Sequence, residues 1–245
     1  MVHIKQRKSE VRTIRKRLLT EMKSGKFSEC KRLPRETALS EELGISRTQL
    51  RDILAGLEQE GFVTRKLGLG TLINRHVLNV KSRMDIEAEI LDVIRNNGYE
   101  PAVTFLGYRE ERADRHVAEK LDIMEGTVVI RVYKLCTANG RAALYFEDVF
   151  PKNLIKKEYS GKDLREPIFS FLREKCEVEA YMDLTQLHAV KAPAKVAEVL
   201  QVPEGTPLLN MEEVDYDSDG NTVFYSRQYF IDGLFEQTVL RKRLY

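Results

Sequence analysis

The chain has 245 residues, 42% of them hydrophobic and 32% charged, enough for one large or two modest domains. No run approaches the ~18 consecutive apolar residues of a membrane span, and the basic start MVHIKQRKSEVRTIRKR lacks the apolar stretch of a secretion signal. The three distant cysteines, Cys30, Cys136 and Cys176, form neither a disulfide framework nor a metal-type pair, so the expectation is a cytoplasmic globular protein without metal or cofactor. The net charge of +2 hides an asymmetry: residues 1–83 carry 19 Lys and Arg against 9 Asp and Glu, whereas 84–245 carry 21 against 29. A basic unit fused to an acidic one implies two parts with different partners, the basic one suited to a polyanion such as nucleic acid.

In chain order, Val11, Ile14, Leu18 and Met22 recur at helical spacing and predict a helix over 9–26, with Ser9 as N-cap and Gly25 near the end. A second helix begins after Pro34 and buries Ala38, Leu39 and Leu43. Gly44 breaks it in a left-handed turn, Ile45 plugs the turn, and Ser46 caps a third helix running to about Glu60. On that helix Leu50, Ile53, Leu54 and Leu57 share one face, and Thr48, Arg51, Asp52 and Ala55 the opposite one, with Arg47 and Gln49 in the first exposed turn. A short helix, a glycine turn and a helix starting with Arg, Thr and Gln constitute a helix-turn-helix. Such an N-terminal turn enters the major groove, where Arg pairs bidentately with guanine and Gln with adenine, while free backbone N–H groups take a phosphate.

The next segment, GFVTRKLGLGTLINR, predicts a β-hairpin with strands Phe62–Arg65 and Thr71–Asn74 and a tip at Leu67–Gly70; Arg65 and Lys66 add charge beside it. Helix-turn-helix plus hairpin is a winged helix. The run LPRETALSEELGISRTQLRDILAGLEQEGFVTRKLGLGT resembles the DNA-binding head of the GntR family of bacterial transcription regulators, and the match in order and spacing covers about 40 residues. The resemblance implies DNA contacts from Ser46, Arg47, Thr48 and Arg51, and from Gly68 in the wing; the residue chemistry adds Gln49 and Lys66. Thr37 stands where the family carries Arg in its LPSER motif. Either Arg35, two residues earlier, substitutes from another angle or that base contact is absent.

Residues 75–85 have no strong periodicity and read as a linker in which VLNV can form a short strand, so the expected division is 1–75, 76–85 and 86–245. Beyond it lies an internal repeat. The segment from Val117 (VAEKLDIMEGT) parallels that from Val196 (VAEVLQVPEGT), and Asn139-Gly140, Tyr145 and Phe150 parallel Asp219-Gly220, Tyr225 and Phe230. Each copy predicts a short helix, a strand, a type I′ turn and a strand. Two copies imply an α+β domain: one antiparallel sheet with pseudo-twofold symmetry and helices on one side, a further helix covering 163–175. This half resembles the effector-sensing (UTRA-type) domain of HutC-type GntR regulators, whose fold is similar to chorismate lyase. The resemblance implies a homodimer that binds a small metabolite and thereby changes its grip on an operator, which a twofold protein reads as an inverted repeat.

Sugar-phosphate-sensing relatives place Arg-x-Arg before the first hairpin turn, a phosphate fork. Counting from Glu125-Gly126-Thr127 and Asn139-Gly140, those slots hold Lys134 and Cys136. The Glu slot that follows falls on Phe146, with Glu147 adjacent, and its second-repeat counterpart on Phe224, beside Tyr225 and Arg227. One cation, no fork and added aromatic surface lead to the expectation of an anionic or partly apolar effector, such as a small carboxylate, rather than a phosphorylated sugar. Two other readings stand against a ligand-responsive repressor. One is a non-regulatory nucleic-acid-binding protein with a structural second domain. The other is a chorismate-lyase-like enzyme, which the residues disfavour: His3, His76, His116 and His188 form no metal or catalytic pattern, Cys136 has no base paired with it, and DYDSDG is only a fragment of a Ca²⁺ loop.

Overall fold

The protein was analysed in a computed structural model that describes residues 2–86 and 89–243, and it divides into two compact units, 1–88 with 236–245 and 89–235.

In the first unit α1 (Val2–Lys23), α2 (Glu36–Leu43) and α3 (Arg47–Gln59) are followed by the hairpin β1 (Val63–Lys66) and β2 (Gly70–Ile73). Their core is the periodic set expected: Leu18 and Met22 from α1, Leu39 from α2, and Leu50, Ile53, Leu54 and Leu57 from α3. Helix α1 starts earlier than Ser9, which lies within it, and ends before Gly25. The VLNV segment is not a strand. Arg75–Leu78 forms one helical turn, α4, whose Val77 and Leu78 are buried. The Arg75 guanidinium donates to the carbonyls of Met22, Phe27 and Cys30, tying the end of α1 to the segment after the wing. The Met22 carbonyl lies in the last turn of α1, where helical carbonyls lack a partner within the helix, and the Phe27 carbonyl also accepts the Cys30 N–H at 3.1 Å; a charged donor satisfies such acceptors at good strength.

The expected boundaries also move at the C-terminus, because the tail packs on this unit. Met84 donates its N–H to the Thr238 carbonyl (2.9 Å) and Thr238 to that of Ser82 (3.2 Å). Lys242 Nζ donates to the Glu58 and Gln59 carbonyls at 2.5 and 2.7 Å, capping the end of α3 with a cation where the helix dipole is negative. Leu240 lies so close over Gly61 that a Cβ there would stand 2.5 Å from its Cδ2, and Gly61 has φ of +84°. The positive φ favours glycine here, and a side chain would also have to displace the end of the Leu240 side chain.

The second unit begins with α5 (Ile90–Asn96). It is built on a six-stranded antiparallel sheet of β3 (Pro101–Arg112), β4 (Val128–Ala138), β5 (Arg141–Pro151), β6 (Met182–Lys191), β7 (Pro207–Tyr216) and β8 (Thr222–Ile231), ordered β3-β4-β5-β8-β7-β6. Helix α6 (Arg115–Leu121) precedes β4 and α8 (Ala194–Leu200) precedes β7, so the repeat is real and longer than expected. Each copy also includes the strand before its helix, β3 or β6. Asn139 and Gly140 have φ of 51° and 76°, a two-residue type I′ turn. The second turn is different: Asp217 accepts from the N–H groups of Asp219 and Asn221, both at 2.9 Å, holding a longer loop.

Helices cover both faces of the sheet, not one. The alternation of strand side chains puts Val129 and Tyr133 of β4 under α6 and α8 respectively. Ile130 and Val132 point the other way, against Phe171 and Leu172. The covering segment on that second face is not the continuous helix expected over 163–175. Pro167 separates a 3-10 turn at Asp163–Arg165 from α7 (Ile168–Phe171), since proline donates no N–H and disfavours helix in the residue before it, and α7 runs directly into a π-helical turn at Leu172–Cys176.

Candidate functional site

The recognition segment is assembled by two backbone devices. Gly44 ends α2 with φ of 67° and ψ of 31°, the left-handed cap that only glycine adopts freely. Ser46 then starts α3: its Oγ accepts the Gln49 N–H at 3.2 Å, while Gln49 Oε1 accepts the Ser46 N–H at 3.1 Å. This reciprocal capping box uses Gln49 structurally, so pairing with adenine would require it to give up its acceptor. Arg47 and Thr48 are exposed in the same turn. Arg51, one turn on, is exposed and pairs through Nε with Glu36 at 2.7 Å, an interaction that raises its already high pKa through the hydrogen bond and the charge of Glu36. Arg35 is exposed immediately before α2, and Thr37 is exposed in the first turn of that helix.

The wing is held against α3 by Glu58, which accepts both the Arg65 N–H (2.6 Å) and Arg65 Nε (2.7 Å). Arg65 thus serves as an anchor, while Lys66 and the tip remain exposed. Gly68 has φ of 78°, and the adjoining Leu67 is fully exposed. The structure therefore brings Arg47, Thr48 and Arg51 together on the exposed face of one helix, and places Lys66 and Gly68 in the wing of the same unit.

In the second unit the seven expected ligand residues divide between the two faces. Lys134, Cys136, Phe146 and Phe224 share the face under α7. Glu147, Tyr225 and Arg227 point to the other face, because neighbours along a strand alternate. There Glu147 accepts from Tyr145 Oη at 2.8 Å and from Arg131 at 3.3 Å, and Arg227 pairs with Glu212 at 3.1 Å. Lys120 also reaches Glu212, at 3.0 Å, and His116 Nε2 lies 3.3 Å from Tyr225 Oη. These three residues belong to a paired network between the repeats, and no single pocket on one face takes all seven.

The face under α7 is the more unusual. Lys134 is buried, and its ammonium donates to the Glu166 carbonyl; burial lowers its pKa, opposed by the charge of Asp148. Two residues missed by the motif count complete the cluster. Asp148 is buried, accepts Ser226 Oγ at 2.8 Å through one oxygen, and has no partner for Oδ2 among the described residues. Burial pushes its carboxyl up to about 6. The signal was present in the sequence, since Asp148 lies two residues beyond Phe146 and therefore on the same face. Burial also pushes the Cys136 thiol up to about 12, which disfavours the thiolate.

A winged helix with an exposed basic recognition turn, joined to a twofold-repeated sheet with a buried polar cluster, defines a DNA-binding regulator with a ligand-sensing domain. The comparisons agree. The family of bacterial regulatory proteins called gntR matches residues 10–73, and the UTRA domain matches residues 96–233. The chain belongs to the GntR family of transcriptional regulators, in the branch that carries a UTRA effector-binding domain. Among similar proteins, the probable transcriptional regulator PhnF of Escherichia coli K12 is 27% identical over 79% of this chain and 80% of its own length. The histidine utilization repressor of Pseudomonas putida is 24% identical over 80% and 77%. The structure of YydK from Bacillus subtilis superimposes with a TM-score of 0.76 at 18% identity, covering 95% of this chain and 99% of that one, a likeness of fold. No described helix is long and apolar enough to cross a membrane.

Proposed function

We propose that the chain is a cytoplasmic, non-enzymatic repressor whose homodimer binds an inverted-repeat operator and is modulated by a small carboxylate. Each recognition helix would enter a major groove, with Arg47 and Thr48 at base edges, Ser46, Arg51 and Lys66 at phosphates, and the Gly68 tip alongside. Arg47, which has no ion-pair partner among the described residues, and the exposed wing tip support this placement, and Arg35, exposed two residues before Thr37, is a further cation beside it.

The effector reading rests on one observation: a buried lysine on the sheet face whose ammonium, with three donors, makes one hydrogen bond among the described residues, to a backbone carbonyl. A carboxylate beside Lys134 would supply acceptors and counter-charge to an ammonium that burial disfavours. Phe146 and Phe224 would offer apolar contact, and Cys136 would serve as a neutral wall. A single lysine lacks the bidentate fork suited to phosphate, which favours carboxylates over sugar phosphates. A thermal-shift screen of small carboxylates and sugar phosphates tests this. A saturable shift from a carboxylate that disappears in Lys134→Ala is expected; a saturable shift from a sugar phosphate that survives Lys134→Ala overturns both the ligand class and the role of Lys134.

A further inference from the structure

The sheet face that holds Lys134 carries more negative charge than positive. Residues opposite each other in an antiparallel pair share a face. The pairs Asp148–Ser226, Ser226–Glu213 and Phe224–Asp215 therefore place three carboxyls on the side of Lys134. Among the described residues of β4, β5, β8 and β7, these four are the charged side chains on that face that are not exposed. Glu213 accepts from Gln228 Nε2. The covering segment adds Arg165 and Glu166, one charge of each sign and both exposed. Lys134 and Asp148 are 3% and 2% exposed, and each feels the other's charge. Lys134 nevertheless turns to the Glu166 carbonyl, and Asp148 Oδ2 has no hydrogen-bond partner among the described residues. Lys134 lies opposite Phe146, and Asp148 opposite Val132, so the two are diagonal neighbours with Cα atoms about 7–8 Å apart. Buried polar atoms are almost always paired, and one left without a donor calls for an explanation.

We propose that the effector is a zwitterion, an amino acid or a near relative, whose carboxylate pairs with Lys134 and whose ammonium donates to Asp148 Oδ2. This rests on the carboxylate reading above and adds a second charge to the ligand. A plain carboxylate relieves Lys134 but brings a further negative charge to a face that already holds three carboxyls. A zwitterion adds no net charge and gives Asp148 the donor it lacks. In an α-amino acid the two charged groups are neighbours, and a charged hydrogen bond of about 2.8 Å at each end lets the molecule bridge the diagonal between the strands. The ligand carboxylate takes the place of the Glu166 carbonyl on Lys134. Glu166 sits in the break between the 3-10 turn and α7, so the cover yields there without breaking a regular helix. Phe146 and Phe224 are left to contact the ligand's side chain.

Matched ligands test the second charge in the full-length protein. Each common amino acid is compared, by thermal shift and then isothermal titration, with the carboxylate that lacks its amino group and the amine that lacks its carboxyl group. One amino acid should give a saturable shift and bind roughly tenfold or more tightly than its deamino partner, the worth of one charged hydrogen bond. Its amine should bind more weakly than either. In Asp148→Asn, which keeps the Ser226 hydrogen bond, the preference for the amino acid should disappear while the deamino carboxylate still binds. The wild-type comparison decides the ligand class without any variant. A deamino carboxylate that binds wild type as tightly as its amino acid overturns the zwitterion and leaves the carboxylate reading standing. A preference that survives Asp148→Asn overturns the pairing with Asp148. The absence of any Lys134-dependent shift, from amino acid or carboxylate, overturns the carboxylate reading itself and this inference with it.

Discussion

Replacing Asp148 with Asn examines the buried cluster without changing its shape. Ser226 Oγ can still donate to the remaining carbonyl oxygen, and what is lost is a carboxyl that burial raises from 3.8 to about 6. The folded state holds this proton to a higher pH than the unfolded chain does. Stability therefore falls as pH rises through the interval from about 4 to just above 6, the reverse of a salt-bridged carboxylate. Asparagine mimics the protonated form at every pH. The advantage of Asp148→Asn over wild type should grow by roughly 2–3 kcal/mol between pH 4 and pH 7, from about two pKa units at 1.36 kcal/mol each. Taking the difference between the two proteins removes the slopes contributed by other groups and any constant cost to Lys134. Urea unfolding followed by tyrosine fluorescence is suited to the measurement, since all of the ten tyrosines except Tyr245 lie in the 89–235 unit. A difference that stays flat from pH 4 to 7, or shifts in favour of wild type, would refute the account of Asp148 as a desolvated acid.

At the DNA face, Arg47→Ala should cost roughly 1–3 kcal/mol at a specific operator and relax base preference there, by competition gel shift. Lys66→Ala should weaken all sequences alike and reduce the slope of log affinity against log salt by about 1; unchanged specific binding in Arg47→Ala would move the recognition helix out of the groove. Ser46→Ala breaks the capping box and should destabilise the DNA-binding unit by about 1 kcal/mol, with Ser46→Thr close to wild type. Calorimetric melting of the three proteins checks this, and a Ser46→Ala protein as stable as wild type would mean that the cap contributes nothing.

The winged helix was readable because its determinants are local. The Gly44 turn, the Ser46 cap, the periodic Leu50–Ile53–Leu54–Leu57 stripe and the hairpin glycines each act within a few residues, so composition and spacing suffice. The repeat was readable for a related reason, since two copies 79 or 80 residues apart carry the same helix, strand and turn signals. The decisions that needed tertiary structure depend on long-range pairing. Strand β3 was missed because an exposed edge strand buries too little to show alternation, and β6 for the same cause. Whether Phe146 or Glu147 faces the covering helices is a question of parity, and a one-residue count in the sequence shifts a side chain through the sheet. Lys134, Asp148 and Ser226 come from three strands of different order in the chain and become a site only when β4, β5 and β8 lie side by side. The tail is the clearest case. Nothing in QTVLRKR announces a destination, and its place on α3 follows from carbonyls at a helix end and a bare Gly61 that the folded unit alone brings within reach of Lys242 and Leu240.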